Sequence, residues 1–188
     1  MRIISGILKG KSIKFLKNTT TRPLKDTVKE NIFNILNHSN LLIVKIENAN
    51  ILDLYSGIGS FGLECISRGA KNVKFVEKDI EALKTLKNNL TKLSIKNQFQ
   101  IIQDTVENFL EKEVGAEDNY NILFFDPPFA DKSFVKNLTI IKNKKLFAKK
   151  HIIIVHRERK SIDNLESFMK VLITKNYGRS KIIFGTLT

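Results

Sequence analysis

Between residues 50 and 157 the hydrophobic period of the chain switches back and forth between strand-like and helix-like. "NILDLYSG" is a short apolar strand stopped by a glycine turn. "SFGLECISRG" has helical spacing, with Ser60 placed as an N-cap and Gly69 as the stop. "NVKFVEKD" is a second strand, and "DIEALKTLKNNLTKL" puts Ile80, Leu83, Leu86, Leu90 and Leu93 on one helical face. "QFQIIQD" is a third strand, "TVENFLEK" a short helix and "NILFFDPPF" a fourth strand. A helix near "SFVKNLTIIKN" and a strand "HIIIVHR" follow. Strands alternating with helices of this length predict an α/β fold, a mostly parallel sheet covered on both faces. The all-apolar cores "ILFF" and "IIIV" suit doubly buried central strands. From about residue 168 to 188, "FMKVLITKN" and "SKIIFGTL" joined by "YGR" predict an antiparallel hairpin at the sheet edge.

The first 40 residues differ in character. They are strongly basic, "RIISG" and "KGKSIKF" can pair as a small hairpin, and "TVKENIFNIL" has a capping-box pattern in Thr27 and Glu30. Val28, Ile32, Ile35 and Leu36 give that helix an apolar stripe to pack on the domain. The expected organisation is one domain over 1–188, with a basic extension at 1–40 and the core at 41–188. Thirty-two Lys and Arg against nineteen Asp and Glu give a net charge of +13. Such a field attracts polyanions, nucleic acid above all, although a Lys- and Asn-rich composition also lifts the count. No apolar run approaches the ~18 residues of a membrane span. The start lacks a signal-peptide pattern, and a single cysteine, Cys65, fits a reducing cytoplasm.

Ligands of open α/β sheets bind outside the carboxyl ends of the strands. There stands "DLYSGIGSFG", in which Gly57, Gly59 and Gly62 satisfy G-x-G-x-x-G. Glu77 closes the next strand twenty residues after Gly57. Two readings compete. In a dehydrogenase the loop takes the pyrophosphate of NAD. S-adenosylmethionine instead carries an amino-acid end, a ribose and an adenine. Asp53, four residues before Gly57, favours that methyl donor, because a carboxylate attracts its ammonium and repels a pyrophosphate. Glu77 would accept from ribose hydroxyls in either case, and Asp104, just past the third strand, would meet the adenine amine. The bland alternative for Asp53 is a carboxylate that only holds its own loop.

The fourth strand runs into "DPPF". Two prolines donate no backbone hydrogen bonds and stiffen the chain, and Asp126 is held extended because it precedes a proline. The Asp126 carboxylate and the Pro127 carbonyl can then aim at one amine, and Phe129 offers an aromatic face that could stack on a planar base. An exocyclic amine is a poor nucleophile because its lone pair is delocalised into the ring. Two acceptors on its N–H bonds would favour a more tetrahedral nitrogen, so that placement and charge stabilisation supply the rate. The base must leave its stack to enter.

Together these residues resemble the class I methyltransferases with a D/N/S-P-P-Y/F motif, which have a Rossmann-like fold. "RIISGILKGKSI", "RPLKDTVKENIFNIL", "ILDLYSGIGSFGLECISRGAKNVKFVEKD" and "ILFFDPPF" resemble the RsmD family of bacterial 16S rRNA guanine-N2 methyltransferases, over nearly the whole chain to about residue 157. The resemblance implies S-adenosylmethionine as cofactor and methylation of one guanine in 16S rRNA, at position 966, on the small ribosomal subunit or an assembly intermediate. It implies Asp53, Tyr55, Gly57, Gly59, Glu77 and Asp104 as cofactor residues and Asp126, Pro127 and Phe129 as catalytic residues. Arg2, Lys9, Lys11, Arg22 and Lys25 would contact RNA. The family usually has "RPT.DR" where this chain has "RPLKDT", so Leu24 and Thr27 depart from it. "VHRERK" stands where relatives place a glutamate after the strand, and His156 is given no role.

The remaining features read as structural. His38, His151 and His156 lack metal-ligand spacing, so no metal is expected. Cys65 reads as a small core residue, Phe124 and Phe125 as sheet core, and "KNKKLFAKKH" as a solvated charge run. A monomer is expected. The alternative activities are DNA adenine-N6 or protein glutamine-N5 methylation with the same "DPPF" chemistry. A non-catalytic RNA-binding module and an NAD dehydrogenase are the others.

Overall fold

The computed structural model describes residues 1–16, 24–114 and 119–187. Its elements, in chain order, are α1 (Asp26–His38), β1 (Asn50–Leu54), α2 (Ser60–Ser67), β2 (Asn72–Glu77), α3 (Ile80–Lys92) and β3 (Phe99–Gln103). Then come α4 (Val106–Lys112), β4 (Tyr120–Phe125), α5 (Val135–Asn143), β5 (Phe147–Glu158), β6 (Lys170–Tyr177) and β7 (Ser180–Thr186). They build a seven-stranded sheet in the order β3-β2-β1-β4-β5-β7-β6. The first five strands pair in parallel, and β7 and β6 add the antiparallel edge. This is the Rossmann-like α/β fold expected, C-terminal hairpin included.

Both faces of the sheet are covered, which is why its central strands read as unbroken apolar runs. Side chains alternate across the pleat. Ile51, Phe75, Ile122, Phe124 and Ile154 face one layer, with Phe33 of α1, Phe61 of α2 and Leu86 of α3. Leu52, Val76, Leu123, Phe125 and Val155 face the other, with Phe109 of α4 and Leu138 of α5. Phe33, Phe61 and Phe124 form a stack, at centroid spacings of 5.2 and 4.1 Å, that ties α1 and α2 to the middle of the sheet. Their contact adds to simple area burial.

Several local expectations are corrected. α1 starts at Asp26 with Lys25 at its N-cap and no side-chain cap, so Thr27 and Glu30 form no capping box. Its buried stripe is Val28, Ile32, Phe33 and Leu36, and Ile35 is only half-buried. Ser60 is the first helical residue of α2, whose N-cap is Gly59. Ile80 is exposed because it sits at the N-terminus of α3, beyond the face covered by the sheet; Leu83, Leu86, Leu90 and Leu93 are buried. The N-terminal hairpin shrinks to one isolated bridge, Arg2 to Ser12. Three flanking backbone bonds support it: Ile3 to Lys11, Gly10 to Ile3 and Ile13 to Met1.

That segment is pinned to α2 instead. Glu64 accepts from the backbone N–H of Ile4 at 2.7 Å and of Ser5 at 2.9 Å. Ser67 Oγ donates to Ser5 O and accepts from Leu8 N. The fully buried Lys29 of α1 stands 3.6 Å from Glu64 and donates to Arg2 O at 2.7 Å. Desolvation lowers the Lys29 pKa, and Glu64 opposes that shift. Gly6 fits only without a side chain: its φ is +83° and a Cβ would lie 1.8 Å from Ser67 O.

Candidate active site

The strand order reverses beside β1, between β2 on one side and β4 on the other. A cavity of about 850 Å³ lies there, at the carboxyl ends of β1 to β4. This is the switch-point position that the topology favours, and the size suits a small-molecule ligand. Asp53, Tyr55, Gly57, Glu77, Asp104, Asp126, Pro127 and Phe129 all line it. Residues from four strand ends, spread over more than seventy positions of sequence, thus share one pocket. Gly59 lies just beneath, as the N-cap of α2 with φ +82°. Its positive φ favours glycine whatever the space, and a Cβ on it would also lie 2.4 Å from Leu86 Cδ1.

Asp53 belongs to β1 and points to the α2 face of the sheet. Its Oδ2 accepts from Gly62 N at 3.0 Å. That N–H is one of the first-turn donors a helix cannot satisfy itself, and Gly59 has no side chain to do so. Asp53 therefore caps α2 from a neighbouring strand. It is 1% exposed. Burial pushes its pKa well up; the Gly62 N–H opposes this, while Asp126 and Glu77 add to it. An ionised Asp53 is therefore a charge short of a cation.

Glu77 organises the loop. One of its oxygens accepts from Gly57 N at 2.8 Å, and the other accepts from Lys78 N and Asp79 N. Asp104 accepts from Thr105 N, Asn108 Nδ2 and Lys112 Nζ, and its lowered pKa follows first from the Lys112 bond. Tyr55 adopts φ +59°, and its hydroxyl accepts from Asn137 Nδ2 at 2.9 Å. Burial raises the Tyr55 pKa, so the phenol stays protonated. Among the described residues, the buried hydroxyls of Ser56 and Ser60, which also line the cavity, have no hydrogen-bond partner.

Among the described residues, seven carboxylates line the cavity (Asp53, Glu77, Asp79, Asp104, Glu107, Asp126 and Asp131), against one lysine, Lys78. In a chain of net charge +13 this is a local inversion. A pyrophosphate would meet repulsion here, and the Gly57 N–H of the glycine loop is already given to Glu77. A ligand with a cationic end and hydroxyl groups suits the lining. The residues thus fit S-adenosylmethionine: a buried carboxylate for the ammonium and two orphaned serine hydroxyls nearby.

At the end of β4, Asp126 N donates to Leu54 O at 3.3 Å, and its Oδ1 bonds His156 Nδ1 at 2.8 Å. Asp126 is partly exposed to the cavity and Phe129 is half-buried. Behind the two prolines lies Arg157, 1% exposed. Its guanidinium donates to the carbonyls of Pro128, Phe129 and Asp131 at 2.9–3.2 Å and pairs with Asp163. It also lies 4.5 Å from the Phe134 ring centroid. The stiff loop is therefore also clamped from the protein side. His156 and Arg157 are the residues that motif reasoning missed. The available signal was register: Phe125 pairs with Val155, so the residues one step beyond, Asp126 and His156, stand side by side.

Arg2, Lys9, Lys11 and Lys25 are exposed, and Arg22 lies outside the described residues. Of the described N-terminal residues, Leu16 and Leu24 line the cavity. Leu24 is 3% exposed and belongs to the core cluster on the α1 side of the sheet. His151 donates from Nδ1 to Ala148 O and accepts at Nε2 from Leu187 N, a structural pin. Burial lowers its pKa. Cys65 is buried, and burial raises its thiol pKa. Among the described residues no helix is long and apolar enough to cross a membrane.

Comparison with known proteins gives consistent likenesses. The family described as "Conserved hypothetical protein 95" matches residues 1–186. The ribosomal RNA small subunit methyltransferase D of Buchnera aphidicola from Acyrthosiphon pisum is 31% identical over 93% of this chain and 83% of its own length. The protein of that name from Escherichia coli K12 is 29% identical over 84% of this chain and 75% of its own. Among solved structures, yhhF from Escherichia coli superposes with a TM-score of 0.83 at 23% identity, covering 100% of this chain and 97% of that one. A Thermus thermophilus protein superposes at 0.79 and 21% identity, covering 100% and 99%.

Proposed function

We propose that this chain, which belongs to the family of ribosomal RNA small subunit methyltransferase D, methylates the exocyclic N2 amine of one guanine in 16S rRNA. The enzyme is an S-adenosylmethionine-dependent rRNA methyltransferase. Guanine N2, and position 966 within the RNA, are the finer parts of the proposal. The observation that carries it is the meeting of the acidic glycine-loop pocket with the "DPPF" loop in one cavity.

Bound there, S-adenosylmethionine would supply an electrophilic methyl group. Asp53 would hold its ammonium end, Glu77 its ribose hydroxyls and Asp104 its adenine amine; Tyr55, Gly57 and Gly59 would shape the seat. Asp126 and the Pro127 carbonyl would each accept one N–H of the guanine amine. This draws the nitrogen lone pair out of the ring and aims it at the methyl group. Phe129 would stack on the extruded base, which holds nitrogen and methyl within attacking distance. As the N–C bond forms and the sulfonium–methyl bond breaks, leaving a neutral thioether, the amine would become cationic, and the Asp126 carboxylate would both stabilise that charge and accept the released proton. No covalent enzyme intermediate is needed.

Arg2, Lys9, Lys11, Arg22 and Lys25 would bind phosphates around the target and leave base recognition to the pocket. The partner would be the small subunit or its assembly intermediate, approached by a monomer. The test is to offer the protein small subunits lacking the modification, duplex DNA and a glutamine-bearing peptide, each with S-adenosylmethionine. Methyl transfer to the subunit alone is expected. Transfer to DNA or peptide, with none to the subunit, would overturn the proposal.

A further inference from the structure

Resting on that reading, we infer that His156 is a positioning residue for the Asp126 carboxylate, the amine acceptor of the "DPPF" loop. His156 is on β5, outside the motif, and is 5% exposed. Its Nδ1 lies 2.8 Å from Asp126 Oδ1. Its Nε2 lies 2.9 Å from Ser180 Oγ of β7. Its ring stands edge-on to Phe129, with centroids 5.6 Å apart and planes at 82°.

The bonding order follows from chemistry. An ionised Asp126 only accepts, so Nδ1 carries the proton and donates. In the neutral ring Nε2 is then the acceptor, and Ser180 donates to it. The chain Ser180–His156–Asp126 thus runs from the antiparallel edge to the catalytic carboxylate, and both ring nitrogens of His156 are committed. With Oδ1 held from the protein side, Oδ2 is the oxygen left to meet the substrate amine. A carboxylate tied at one oxygen cannot rotate away from the line between nitrogen and methyl group. A misplacement of about 1 Å in such an arrangement can cost on the order of 100-fold in rate.

Two isosteric substitutions separate this role from simple packing. In His156→Asn the side-chain amide takes the place of Nδ1 and still donates to Asp126, but it loses Ser180. In His156→Gln the amide reaches the place of Nε2, retains Ser180 and loses Asp126. Single-turnover methyl transfer to small subunits is measured for wild type and both variants, alongside S-adenosylmethionine affinity and melting temperature. The expected result is a rate within a few-fold of wild type for His156→Asn and a fall on the order of 10–100-fold for His156→Gln. Cofactor affinity should be unchanged in both.

Equal rates in the two variants, whether both high or both low, would overturn the inference. So would a rate loss that only tracks melting temperature. A wild-type protein that transfers no methyl to RNA would overturn the substrate reading and this inference with it. An active wild type with indistinguishable variants overturns the inference alone.

Discussion

The backbone N–H of Gly62 donates to the carboxylate of Asp53 across 3.0 Å, joining the first turn of α2 to the carboxyl end of β1. The bond explains both the third glycine of the loop and the burial of an acid. Space is short on the other side: a Cβ on Gly62 would lie 2.3 Å from the Phe75 ring.

Asp53→Asn keeps an acceptor for Gly62 and removes the charge. Burial raises the Asp53 pKa in the folded chain above its unfolded value. Its contribution to stability is therefore fully present below the unfolded pKa and is lost as pH rises through the folded one. The variant should melt no lower than wild type at neutral pH without cofactor. It should bind S-adenosylmethionine more weakly by about 1.5–3 kcal/mol, the range for a hydrogen bond to a charged group. Wild-type affinity should rise with pH as Asp53 ionises, while that of the variant stays flat in this range. Calorimetric titration at several pH values, beside thermal melts, checks all three.

Asp126→Ala should abolish methyl transfer and leave cofactor affinity nearly unchanged, because Asp126 sits on the loop that would face the base. Equilibrium binding of S-adenosylmethionine beside a transfer assay separates the two effects. Transfer at the wild-type rate would remove Asp126 from the mechanism.

Arg157→Lys should lower the transfer rate by on the order of 10–100-fold. One ammonium cannot replace a planar fork shared among three carbonyls and Asp163. The loop carbonyls would be left short of donors, and Phe129 would lose its fixed height. Transfer kinetics and hydrogen exchange at residues 129–131 report this directly.

RNA binding should weaken steeply with salt. Replacing Lys9 and Lys11 by glutamine should weaken binding to different RNA sequences alike and reduce the salt slope by about 1 for each phosphate no longer neutralised. Filter binding over a range of potassium chloride concentrations measures it. Cofactor affinity should not follow, since neither lysine lines the cavity.

Much of the site was legible because strand ends announce themselves in sequence. Asp53, Glu77, Asp104 and Asp126 each stand at the end of an apolar strand, and parallel pairing brings such ends to one edge. Caps were less legible. Ser60 has an N-cap's side chain, but α2 is capped from across the sheet by Asp53, and no local pattern encodes that. The buried Lys29 was hidden because a helix stripe is read from apolar residues, whereas its partner Glu64 lies on another helix. His156 was passed over because its partner stands thirty residues away and becomes a neighbour only through the β4–β5 register.

The central claim is that one cavity joins a methyl donor to a guanine amine. The most direct measurement uses radiolabelled S-adenosylmethionine, purified protein and small subunits lacking the modification. The RNA is then digested to nucleosides and separated. The account predicts label in N2-methylguanosine, from a single site, with none in the Asp126→Ala control. Label in any other nucleoside, or a labelled control, would contradict it.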